Sequence, residues 1–370
     1  MINSNEELAE AVKLWCKNNK IALEVYGPIN SWKTTKVTDM SYLFDGLDFN
    51  DDISDWDTSN VKTMESMFLN CKSFNQPIGK WNVSNVKSMI SMFNHAENFN
   101  QNINSWNVSS VKNMESMFDA ASSFNQPLNN WKIDKVENMK KMFHNATIFN
   151  QDLSEWNTEN VENMISMFDH AESFNQNINS WNVSNVKIME SMFEAAISFD
   201  QPLNNWKVTK VKNMKKMFHY AVKFNQDISE WNTENVENMV SMFEFALEFN
   251  QNINSWNVSN VTNMDYMFKS VKRFNQPLDS WNVNKVKSMI EMFYQCESFN
   301  QNLDTWNVSN VHDFTRMFYN AEEFNQDLTS WNIDGSINFS EMLVNSKVKE
   351  LPSWYKVDLI PINYVPLKCR

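Results

Sequence analysis

WNVSNVKSMISMFNHAENFNQNINS, residues 81–105, is followed at residues 106–130 by WNVSSVKNMESMFDAASSFNQPLNN, the same phrase with its apolar skeleton intact. The phrase runs both ways from there. Trp stands at 56, 81, 106, 131, 156, 181, 206, 231, 256, 281, 306 and 331, always 25 residues apart, and Trp32 opens an earlier unit one residue shorter. Read from Trp81, the apolar positions are Trp81, Val83, Val86, Met89, Met92, Phe93, Ala96, Phe99 and Ile103. Trp131, Ile133, Val136, Met139, Met142, Phe143, Ala146, Phe149 and Leu153 repeat them. No single unit of this size closes a core by itself, so the units must stack and bury their apolar faces on one another.

Two periods share each unit. Val86, Met89, Met92 and Phe93 have the spacing of one face of a short helix, opened by Ser84, or by Asp134 and Glu159 elsewhere. Trp81 and Val83 alternate with Asn82 and Ser84, the period of a strand. The expectation is an α/β repeat solenoid. Parallel strands stack about 4.8 Å apart, whereas helices need about 8–10 Å. The coil should therefore curve, with parallel strands on the concave face and short helices on the convex face. The Phe-Asn-Gln triplets, from Phe74-Asn75-Gln76 to Phe324-Asn325-Gln326, read as a return segment. Their stacked Asn side chains are expected to pair backbone groups of adjacent turns.

Composition narrows the function. With 24 Met, 27 Phe and 15 Trp but 4 Gly, the chain lacks Gly-rich phosphate loops. The net charge of −13 opposes nucleic acid as a partner. No run of apolar residues is long enough for membrane insertion, and the N-terminal MINSNEELAEAVKLW has no secretory pattern. The expected location is intracellular or virion-associated. Cys16, Cys71, Cys296 and Cys369 form no CxxC pair, and Cys71 and Cys296 replace a small core Ala. His95 and His170 share one repeat position, His144 and His219 another, and His312 a third. On the expected helical side they read as tens of ångströms apart, so no metal site and no cofactor is expected.

Repeats deliver like groups in rows, whereas catalysis needs unlike groups at one place. The chain thus reads as non-catalytic, with no catalytic residues. The candidate binding face is the exposed concave surface beside the Trp column: Asn107, Asn130, Lys132, Glu155, Asn157, Asn182, Lys207, Glu230, Asn232 and Asn257. Protein partners fit such a polar ladder best, acting through repeated weak contacts, and glycan is the alternative. The Lys140-Lys141 and Lys215-Lys216 pairs read as solvated, and Asn82-Val83-Ser84 and its equivalents match a glycosylation pattern only because the repeat generates it.

Leu128, Trp131 and Ile133, followed by Val136, Met139, Met142, Phe143 and Ala146, resemble the BspA-like class of leucine-rich repeats, as do Phe68 with Cys71 and Phe293 with Cys296. The match is most similar to a 25-residue repeat family of unknown function first noted in mycoplasma surface lipoproteins, also found in algae and large DNA viruses. The resemblance covers about residues 25–345. It implies a curved, leucine-rich-repeat-like, right-handed coil used for protein contact, structural scaffolding or surface display, the last including an adhesin or glycan-binding role.

Three segments are expected. Residues 1–31 form an N-terminal cap, with a helix from about Asn5 to Lys17 opened by Ser4 and Glu7. Residues 32–343 form a solenoid of about 12–13 repeats, and residues 344–370 a tail that either closes the core or serves as an exposed docking peptide. The blocks beginning at Trp131 and Trp206 are near-copies, marking a 75-residue, three-unit duplication.

Overall fold

Each 25-residue phrase folds into one coil, and successive coils lie on one another in register. The computed structural model describes residues 2–333 and 337–355. The fold is a repeat solenoid. Every expected inward residue is buried, from Trp81 at 4% exposure to Phe93, Ala96 and Ile103 at 0%. Like residues form columns: Trp81 and Trp106 stack at 6.5 Å, Phe93 and Phe118 at 5.6 Å, and Phe99 and Phe124 at 5.9 Å. Within one coil Phe93 lies 4.0 Å from Phe99. These near-parallel, offset rings add to the burial term.

The backbone departs from the expected elements. No described residue of the coils is helical, and strand pairing is reduced to isolated parallel bridges such as Ser88 with Asn113. The bridges lie seven residues past Trp, not around it. The strands expected beside Trp and the helices expected over Val86–Phe93 are therefore both replaced by turns. The reason is hydrogen bonding. A helix would satisfy its N–H groups inside the coil, whereas here Met89, Ser91, Phe93 and His95 donate to the carbonyls of Asn113, Glu115, Met117 and Asp119 at 3.1, 2.8, 2.9 and 2.7 Å. Met92, Asn94 and Ala96 fold back onto Met89, Ser91 and Phe93 at 3.2, 3.2 and 3.0 Å. With no helix on one side, the spacing mismatch that required curvature disappears.

This alternation needs two left-handed residues per coil, Ser91 (φ 53°) and His95 (φ 56°) in the coil of Trp81. Each non-glycine residue there costs about 1–2 kcal/mol. Bonds to the next coil, each worth about 0.5–1.5 kcal/mol net, offset that cost. Across the coils these two positions hold Ser, Asn, Ala, Lys, His, Tyr, Phe, Glu, Gln and Arg, and Gly46 once, but never Val, Ile or Thr. Branching at Cβ is what the left-handed region tolerates least.

Side chains complete the stacking. The indole Nε1 of Trp106 donates to the Ile78 carbonyl, 28 residues back, at 3.1 Å, and Trp181 does the same to Leu153 at 2.9 Å. Thr58, Thr158 and Thr233, standing where other coils have Val or Ile, donate from Oγ1 to the next coil's Asn82, Asn182 and Asn257 carbonyls at 3.0 Å. The Asn row of the return segment pairs as expected. Asn75 Oδ1 accepts from the Asn100 N–H at 2.9 Å and from Gln101 Nε2 at 2.9 Å. Asp200 keeps the same role for Asn225 and Gln226.

The helix expected near the N-terminus is α1 (Asn5–Lys17), with Ser4 Oγ accepting from the Glu7 N–H at 3.1 Å. It buries Leu8, Ala11 and Val12. A second helix, α2 (Asn19–Tyr26), follows beyond the one the sequence predicts; Asn18 caps it by accepting from the Ile21 N–H. Trp15 packs edge-on against Trp32 at 5.8 Å, ending the Trp column. At the other end Trp354 stacks on Trp331 at 6.2 Å and donates to the Leu328 carbonyl, extending the column. Ser336 and the apolar tail VDLIPINYVPLKCR lie outside the described residues, as does Cys369. No described helix is long and apolar enough to cross a membrane.

Candidate functional site

The polar rows beside Trp are set by alternation: Trp81 and Val83 point inward, so Asn82 between them points out. All ten candidates, Asn107, Asn130, Lys132, Glu155, Asn157, Asn182, Lys207, Glu230, Asn232 and Asn257, are exposed. Asn130, Glu155 and Glu230 stand on turns and the other seven on irregular backbone, none of them on a strand. Several also shape the backbone. Asn107, Asn182, Asn232 and Asn257 accept from the N–H two residues on, at 3.0–3.2 Å, the signature of an Asx turn. Asn130 receives its backbone bond from the neighbouring row, its N–H donating to Asn104 Oδ1 at 3.0 Å. Around Glu230, Asn254, Asn257 and Asn282 the rows border a shallow groove of about 690 Å³.

A second row escaped sequence reasoning. Asp119, His144, Asp169, Glu194, His219, Glu244 and Lys269 stand 25 residues apart, next to the buried Phe of each coil. Stacking makes them neighbours. His144 Nδ1 is 2.7 Å from Asp119 Oδ1, and its Nε2 is 3.7 Å from Asp169 Oδ2. His219 bridges Glu194 and Glu244 in the same way, at 2.8 and 3.6 Å. The histidines are therefore not all far apart: the rings of His144 and His170 lie 6.4 Å from one another. The signal in the sequence is the 25-residue interval of these charged residues, the same interval that marks Trp.

Burial sets the electrostatics. It raises the Asp169 carboxyl, a shift that the hydrogen bond from His170 opposes. Burial would also raise Glu194, but hydrogen bonds from His219, Ser191 and Lys216 outweigh it and hold that carboxyl down at about 2. The paired lysines are less free than expected, since Lys140 reaches Glu115 at 2.9 Å and Lys216 reaches Glu194 at 3.0 Å. Burial pushes the Cys71 thiol up to about 12 and Cys296 well above its usual range, as befits core side chains rather than nucleophiles.

The sequence matches the profile described as "Mycoplasma protein of unknown function, DUF285" six times in overlapping windows, at residues 14–131, 78–173, 116–226, 149–255, 201–289 and 246–354. The chain belongs to this family. The overlapping matches follow the coils from Trp32 onward, so the DUF285 pattern is the coil itself. No curated protein matches this DUF285 chain in sequence. Among solved structures, it is similar to a chain of the TLR13–ssRNA13 complex at 7% identity and a TM-score of 0.24, covering 82% of this chain and 52% of that one. A second similarity is to the Toll–Spatzle complex of Drosophila at 10% identity and a TM-score of 0.21, covering 80% of this chain and 55% of that one. The chain thus spans about half the length of the solved chains it matches.

Proposed function

We propose that this DUF285 chain is a non-catalytic scaffold that binds protein partners through the polar rows beside its tryptophan column. One observation carries the reading: coil after coil presents exposed polar side chains there, mostly Asn with Lys132, Glu155, Lys207 and Glu230 among them, at a fixed interval on a stacked frame. Identical weak contacts at a fixed interval act together, so affinity grows with the number of coils engaged. The rows lack the exposed Trp, Tyr and Arg anchors of tight single-site interfaces.

The test compares capture of partners by the intact chain and by a chain carrying Asn107→Arg, Asn182→Arg and Asn257→Arg, with cross-links mapped by mass spectrometry. Cross-links that fall on the rows and vanish in the variant support the proposal. Cross-links confined to other faces, or reproducible turnover by the purified chain, would remove it. A glycan-binding role rests on the polar groove near Glu230, Asn254 and Asn257. A multivalent glycan array that stays blank would dispose of it.

A further inference from the structure

The duplicated blocks contain an internal comparison. In the first, His144 Nδ1 lies against the Asp119 carboxylate at 2.7 Å. A carboxylate accepts, so Nδ1 carries the proton and the lone pair sits on Nε2. That Nε2 faces Asp169, whose other oxygen lies 2.6 Å from His170 Nδ1. Ligand atoms of His144, Asp169 and His170 all fall within 4.8 Å of one another. In the second block His219 repeats His144, and Glu194 and Glu244 repeat its two acids. Phe245, however, stands where His170 stands, and it stacks on Tyr220 at 4.4 Å.

The geometry points to a divalent transition-metal site formed by His144 Nε2, the Asp169 carboxylate and His170, taking an imidazole-preferring ion such as Zn²⁺. Two imidazoles and a carboxylate suit zinc, copper or nickel rather than calcium or magnesium. Bonds of about 2.0–2.1 Å place neighbouring tetrahedral ligands roughly 3.3–3.4 Å apart. The 3.7 Å between His144 Nε2 and Asp169 Oδ2 is near that spacing. Asp119 supplies the outer carboxylate that fixes the tautomer and orientation of a ligating histidine. His170 is half exposed, so a ring rotation exchanges its bond to Asp169 for one to the ion and leaves a side open to water. Asn145 Nδ2 lies 3.2 Å from His144 Nδ1 and 3.1 Å from Nε2, over the face of the ring rather than in line with the Nε2 lone pair.

The test is titration of the full chain with Zn²⁺ by calorimetry, and with Co²⁺ by visible absorption. Saturable uptake of one equivalent is expected, abolished by His144→Gln and by His170→Phe. Asp119→Asn should weaken it by about tenfold or more. His219→Gln, in the block that lacks the second imidazole, should leave it unchanged. Circular dichroism of each variant establishes that the fold persists. No saturable uptake in the micromolar range, uptake that survives His170→Phe, or equal loss with His219→Gln would each overturn the assignment.

Discussion

Trp181→Ala removes one indole from the middle of the column. Trp181 is 2% exposed and lies between Trp156 at 6.1 Å and Trp206 at 6.5 Å, with Phe168 at 6.1 Å. A truncation of this size costs about 3–5 kcal/mol. Trp181→Phe keeps a ring in the stack and leaves the Leu153 carbonyl its bond from the Trp156 N–H, so the lost indole bond costs about 0.5–1.5 kcal/mol. Asn182→Ala removes only an exposed turn acceptor and should cost about 0.5 kcal/mol. The assay is urea unfolding followed by far-ultraviolet circular dichroism. Each coil is coupled to its two neighbours, so a weakened central interface should also split the single transition into two. Equal costs for Trp181→Ala and Asn182→Ala would refute the assignment of inside and outside.

Three further outcomes follow from the same geometry. At Ala195 (φ 52°), Ala195→Val should destabilise by about 1–2 kcal/mol while Ala195→Gly is neutral or stabilising, as measured by thermal unfolding. Asn175 Oδ1 accepts from the Asp200 N–H at 2.9 Å and from Gln201 Nε2 at 3.0 Å; Asn175→Leu should cost roughly 1–3 kcal/mol by urea unfolding, and Asn175→Asp far less. Glu194, held down at about 2 when folded, titrates near 4.3 when unfolded. Its contribution is therefore full above the unfolded value and is lost as pH falls toward 2. Glu194→Gln should flatten the stability–pH curve in that window.

Much of the fold was legible because the inward set repeats without slippage: Trp, Met and Phe at fixed intervals announce stacked columns whatever the backbone does between them. The backbone itself was not legible. Val86, Met89, Met92 and Phe93 satisfy a helical period, and the turns that replace the helix bury the same four residues. What separates the two is the missing Val, Ile and Thr at the Ser91 and His95 positions, a signal of absence that only a comparison across coils displays. The site was half legible. The rows beside Trp followed from alternation, but the Asp119–His144–Asp169 row joins residues that are distant in sequence and meet only through stacking.

The account's central claim is that coils are interchangeable layers sharing one continuous core. Its most direct test is the urea-unfolding free energy of a chain lacking residues 181–205, one whole coil, beside a chain lacking 181–193. Removing the whole coil seats Trp206 on Trp156 in register, so that chain should remain folded and lose only the share of stability carried by one layer. If both deletions unfold the protein to the same degree, the layers are not interchangeable and the stacked-core account is wrong.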